Sequence, residues 1–197
     1  MNSADLLRQL RTIGPVEFTN SRLFDNHAWF FPTRSGGEYE DAKQAFSKIF
    51  GNAPSDIAIV GSGKYGYSMT PQNGFRPFQP HEHEDNPSDL DMVVISKELF
   101  NSTWQRLRQA HFNGAIDTKR LYQSDVFRRF VMVGTDNYNE TKYLRDLMLL
   151  LDKVRKLATT RFGISQTIKI RVYSSWSDAK SYHIWSLQRL GEHHGIQ

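Results

Sequence analysis

The stretch 56–66, DIAIVGSGKYG, and the stretch 88–95, SDLDMVVI, decide how this chain is read. Asp56 to Val60 is a short, β-rich apolar run closed by Gly61, which predicts a buried strand over 56–60. Asp89 to Ile95 predicts a second strand. Residues two apart on a strand share a face, so Asp89 and Asp91 project side by side with Leu90 buried opposite. Two carboxylates that close repel unless a cation sits between them. Oxygen-only ligands suit Mg²⁺ or Mn²⁺, held by one or two carboxylates together with substrate phosphates. The Gly61-Ser62 turn offers backbone N–H groups and a hydroxyl to such phosphates. Lys64 is a candidate phosphate contact in the same loop. These are the parts of a phosphoryl or nucleotidyl transfer site.

Gly61, Gly63 and Gly66 also match G-x-G-x-x-G, the dinucleotide-binding spacing. That fingerprint needs a helix directly after the loop to receive the pyrophosphate. Here Pro71, Gly74, Pro77 and Pro80 follow, and no helix of useful length fits. A Walker A loop fails too, because Tyr67-Ser68 stand where Lys-Ser/Thr is required.

Outward from this centre, strands and helices interleave. A short amphipathic helix is expected over 4–12, with Ser3 as its N-cap and Leu6, Leu7 and Leu10 on one face. Residues 13–37 read as an irregular aromatic arm carrying Phe18, Phe24, Trp29, Phe30 and Phe31. A helix is expected over 38–50, a loop or insertion over 71–87, and a helix from Ser96 to Gln109. A strand is expected over 126–133, a helix over 140–160 stopped by Gly163, a strand over 167–173 and a last helix over 177–190. The pattern predicts an α/β or α+β domain with a small mixed sheet flanked by helices. Residues 1–37 form an N-terminal helix and arm, and 38–197 form the domain.

The length of 197 residues bounds this to one domain, or one with a small appendage. The net charge of +4 permits a polyanionic partner without demanding one. The absence of cysteine excludes disulfides, thiolate metal sites and a cysteine nucleophile. No run reaches the ~18 apolar residues of a membrane span, and Met1 to Leu10 does not read as a signal peptide, so a soluble cytoplasmic protein with no membrane partner is expected.

A hydrophobic strand, Gly-Ser, then Asp-x-Asp on a second hydrophobic strand resembles the nucleotidyltransferase superfamily, the polymerase-beta-like fold. The resemblance covers roughly residues 38–175. Small bacterial members of that family serve as toxins, defence components and second-messenger synthases. It implies that Gly61 and Ser62 bind a nucleoside triphosphate and that Asp89 and Asp91 are catalytic metal ligands. Gly66 and Ser68 can fill the small or polar position that follows Gly-Ser in the family. Residues 63–88 make a longer gap than the family's usual one, and 71–87 reads as an insertion. The family places a third carboxylate on a later strand, where Thr167 to Tyr173 carries Lys169 and Arg171 instead. Either two carboxylates serve, or Asp117 or Asp125 completes the set, or the enzyme is degenerate. A cation on that strand can pair with substrate phosphates or with Asp89 and Asp91.

The resemblance therefore implies a Mg²⁺-dependent enzyme. It would transfer a nucleoside monophosphate from an NTP to a hydroxyl acceptor on RNA, protein or another nucleotide, in a toxin or antiviral defence setting. The alternative is a degenerate subunit acting as nucleotide sensor or interaction module beside a partner chain. A nucleic-acid-binding module is a third reading, from charge alone. His81-Glu82-His83-Glu84-Asp85 reads as a solvated loop before a metal site, and Arg128-Arg129 as an amphipathic strand before a nucleic-acid surface. Tyr173, Trp176, Tyr182 and Trp185 read as packing of the last helix before base stacking. His183 and Ser186 lie three apart on the last helix, too far in kind from any acid to read as a triad.

Overall fold

A computed structural model of the protein describes residues 3–25, 27–31, 37–70, 73–80, 87–116, 128–134 and 142–193. Its core is a four-stranded mixed sheet. The strands are β1 (Ile57–Val60), β2 (Leu90–Ile95), β3 (Phe130–Val133) and β4 (Ile168–Tyr173), in the order β1-β2-β4-β3. β1 and β2 are antiparallel, β2 and β4 parallel, and β3 and β4 antiparallel. The helices are α1 (Ser3–Phe18), α2 (Glu38–Phe50), α3 (Ser62–Tyr65), α4 (Lys97–Phe112), α5 (Arg145–Phe162) and α6 (Trp176–His193). This is the mixed-sheet α+β class expected from the interleaved pattern.

The strand period of two sorts the sheet into two faces. Ile57, Ile59, Leu90, Met92, Ile168 and Ile170 lie on one face, under α2, α4 and α5. Ala58, Val60, Val93, Phe130 and Tyr173 lie on the other, under α1 and α6. Both faces are covered, so most strand positions are apolar, with Asp91 on β2 and Lys169 and Arg171 on β4 the charged exceptions. β1 is an edge strand, and its outward Ile59 N–H donates to the Tyr39 hydroxyl of α2 at 2.9 Å.

Several boundaries differ from the sequence expectation. α1 runs on to Phe18 through a bend at Gly14-Pro15, and a π-helical turn follows over Thr19–Leu23. Proline is tolerated there because it opens the second helical segment, where its missing N–H leaves no bond unmade. Leu6, Leu10 and Phe18 are fully buried in the same core as β1 and β4, so the N-terminal segment packs into the domain. The 73–80 part of the expected insertion is stitched back to the glycine loop. Ser68 N–H donates to the Arg76 carbonyl and Phe78 N–H to the Gly66 carbonyl, both at 2.8 Å. Phe78 is buried against Trp29 and Phe30. Gly163 closes α5 as expected. The His81–Asp85 run, Asp117, Asp125 and Phe127 lie outside the described residues. Among the described residues, no helix is long and apolar enough to cross a membrane.

Candidate active site

β1 ends at Val60, and the chain turns through Gly61 into the single helical turn of α3. Gly61 has φ 63° and ψ −142°, a conformation that L side chains rarely adopt. A Cβ there would also lie 3.1 Å from Asp91 Oδ2. The turn and the second carboxylate are therefore in direct apposition, as the antiparallel pairing of Val60 with Asp91 requires. α3 spans only four residues before Gly66 caps it, so the dinucleotide arrangement is absent.

A pocket of about 310 Å³ opens at this seam. Gly61, Ser62, Ser68, Asp89, Asp91 and Arg171 line it, whereas Lys64, Gly66 and Lys169, also named from sequence, do not. The expectation that Lys64 faces a phosphate is corrected here. Its ammonium points the other way, into the N-terminal segment. It donates to the Asp25 carboxylate, to the His27 carbonyl and, at 3.1 Å, to the Asp25 carbonyl. Burial lowers the Lys64 pKa, and the Asp25 carboxylate works against that fall. Two helical residues turn the side chain by about 200°, roughly half a turn, so Ser62 meets the pocket while Lys64 meets the arm.

The cations of β4 are set against the acids of β2. Lys169 Nζ lies 2.6 Å from Asp89 Oδ2, and an Arg171 guanidinium nitrogen lies 3.2 Å from Asp91 Oδ1. The parallel register aligns Asp91 with Lys169 and Val93 with Arg171, so each cation reaches back by about one residue pair. All four side chains are partly exposed. Among the described residues, no group of three or more His, Cys, Asp or Glu is placed to hold a metal ion.

Sequence reasoning did not assign several other lining residues. Arg76 arrives on the stitched 73–80 segment, and Tyr182, His183, Ser186 and Leu187 arrive on α6. Their 182, 183, 186, 187 spacing is one helix face, a signal present in the sequence but indistinguishable there from core packing. Burial, and then the neighbouring Arg171 charge, push the His183 pKa down to about 3. Burial pushes the Tyr65 phenol well above its usual value.

The oxygen-only donors, Asp89, Asp91, Ser62 and Ser88, fit Mg²⁺ or Mn²⁺ shared with phosphates. No family model, curated protein or solved structure matches the chain.

Proposed function

We propose that the chain is a Mg²⁺-dependent nucleotidyltransferase that moves a nucleoside monophosphate from an NTP to a hydroxyl acceptor. The observation that supports this most is the apposition of the Gly61-Ser62 turn to Asp91, beside Asp89, in one pocket. Asp89 and Asp91 would hold the metal, which would supply charge neutralisation at the phosphates and a lowered pKa at the acceptor hydroxyl. The protein's own groups do the rest. Ser62 and Ser68 donate hydroxyls to phosphate oxygens. Lys169 and Arg171 turn from the carboxylates to the entering triphosphate, which frees the acids and keeps the site near charge balance. The acceptor hydroxyl gives up its proton to solvent, its oxygen bonds to the α-phosphorus as the bond from that phosphorus to the bridging oxygen breaks, and pyrophosphate leaves with the electron pair. The acceptor is RNA, a protein side chain or a nucleotide, and the resemblance to small bacterial nucleotidyltransferases points to a toxin or defence role.

The test is incubation with Mg²⁺ and each α-labelled NTP, with and without total tRNA, beside an Asp89→Asn/Asp91→Asn variant. Label transfer with pyrophosphate release by the wild type, lost in the variant, is expected. A second reading draws on the same two ion pairs, because acids already neutralised by cations suit a nucleotide sensor or interaction module that performs no transfer. Nucleotide binding that survives EDTA, with no label transferred to any acceptor, would select that reading.

A further inference from the structure

Tyr182, Trp185 and Arg189 follow one another at three- and four-residue spacing on α6 and so share one face. α6 carries no acid between Asp178 and Glu192. Tyr182 packs edge-on against Phe130 of β3, with ring centroids 5.3 Å apart. That contact brings Arg128, two residues earlier, over the same face. The Arg128 guanidinium carbon lies 5.7 Å from the Tyr182 ring centre and 5.3 Å from that of Trp185. The Arg189 guanidinium carbon lies 5.3 Å from the Trp185 ring centre. Both distances to Trp185 are within the range where a ring attracts a cation. The neighbouring Arg129 is used differently, since it pairs with Asp178 at 3.1 Å.

Packing of the last helix accounts for Tyr173, which is fully buried, but not for Trp185, which is 41% exposed while holding two cations. A guanidinium group set on a ring is pre-oriented, and its N–H edge is the part that takes phosphate oxygens, often two at a time. This face is also continuous with the pocket. Tyr182 lines the pocket, and so does Ser186, the residue after Trp185. From Tyr182 to Arg189 the face runs about 10 Å along the helix. An acidic protein segment would satisfy the guanidinium groups and leave the indole uncovered. A nucleic-acid strand supplies both parts, phosphates and flat rings. A duplex keeps its bases stacked inside and has none to lay on Trp185.

We infer that this face of α6 binds a single-stranded polynucleotide leading into the pocket. Arg128 and Arg189 take its phosphates, and the open part of Trp185 takes an unpaired base. That this strand is the acceptor rests on the nucleotidyltransferase reading; that it binds does not.

The test is fluorescence anisotropy with a labelled strand of about 12 nucleotides, as RNA and as DNA, over a range of salt. The wild type is compared with Arg128→Gln/Arg189→Gln. A control, Lys156→Gln/Arg161→Gln, removes the same charge from α5 on the other side of the sheet. Each phosphate contact on a single strand contributes about 0.7 to the slope of log affinity against log salt. The α6 variant is therefore expected to flatten the slope by about 1.4 and to weaken binding about tenfold or more at 0.1 M salt. The α5 variant is expected to bind as the wild type does. If neither strand binds, or the α6 variant keeps the wild-type slope, or the α5 variant loses as much, the inference fails. Equal affinity for the blunt duplex, or for oligoglutamate of matched charge, would overturn it as well. The two readings separate in one further assay with α-labelled NTP. If the strand binds as expected but no acceptor is labelled, the nucleotidyltransferase reading fails and the surface stands. If label reaches another acceptor while no strand binds, the surface fails and the reading stands.

Discussion

Lys64 shows how half a turn of helix redirects a side chain. Its ammonium is almost fully buried and holds the Asp25 carboxylate and two backbone carbonyls of the N-terminal segment. Lys64→Met keeps the stem and removes the charge, and leaves those acceptors unmet. A loss of about 2 kcal/mol or more in unfolding free energy is expected from urea denaturation. A loss below about 0.5 kcal/mol, the size of a surface substitution, would mean the contact holds nothing. His183 gives a second prediction at this scale. Unfolded, it titrates near 6.5; folded, its pKa is depressed to about 3. Between those values the unfolded chain takes up a proton that the folded chain does not. Its contribution to stability is therefore full above pH 6.5 and falls as pH drops toward 3, by up to about 1.4 kcal/mol per pH unit. Urea midpoints from pH 7 to pH 4.5 should fall more steeply for the wild type than for His183→Gln. Parallel slopes would rule the imidazole out as the source.

At the scale of elements, the glycine loop has a structural reason at each position. Gly61 admits Asp91, Gly63 lets α3 lie on the sheet, and Gly66 is covered by the Trp29 ring. A Cβ on Gly63 would meet Leu90 Cδ1 at 2.6 Å and Ile59 Cγ2 at 3.1 Å. Leu90 is fully buried, so its methyl has little room to yield. Gly63→Ala is expected to destabilise by about 1–3 kcal/mol in thermal or urea unfolding, as overpacking does. An unchanged midpoint would show that α3 can lift from the sheet at no cost. The strands were legible as short apolar, β-rich runs, with 167–173 also showing alternation, and the glycine spacing because three glycines recur in eleven residues. The ends of α1 and the 73–80 segment were not legible. Their conformations are set by partners far away in sequence, as when the Gly66 carbonyl takes the Phe78 N–H. The direction of Lys64 was hidden for a related reason: a four-residue helix leaves no periodicity from which to read a face.

Across the whole molecule, the net charge of +4 understates how the charge is arranged. The parallel pairing of β2 with β4 puts two cations against two acids at the mouth of the pocket, and their charges cancel. The sequence exposed both halves of this arrangement, Asp-x-Asp and Lys-x-Arg, but not the register that joins them. Cancellation has a consequence for metal binding. A divalent ion arriving alone meets acids whose charge is already balanced, and two nearby cations repel it. An ion arriving with a triphosphate meets a different field, because the phosphates can take Lys169 and Arg171. MgCl₂ alone is therefore expected to leave the wild-type melting temperature nearly unchanged, while MgCl₂ with NTP raises it. Replacing both cations, Lys169→Met with Arg171→Met, leaves the carboxylates mutually repelling and lowers the melting temperature without metal. In that variant MgCl₂ alone should recover much of the loss, since the ion then supplies the missing positive charge, and NTP should add little because its phosphate partners are gone. Equal MgCl₂ responses in the wild type and the variant would show that the β4 cations do not gate the acids, and that the partner exchange assigned to them does not occur.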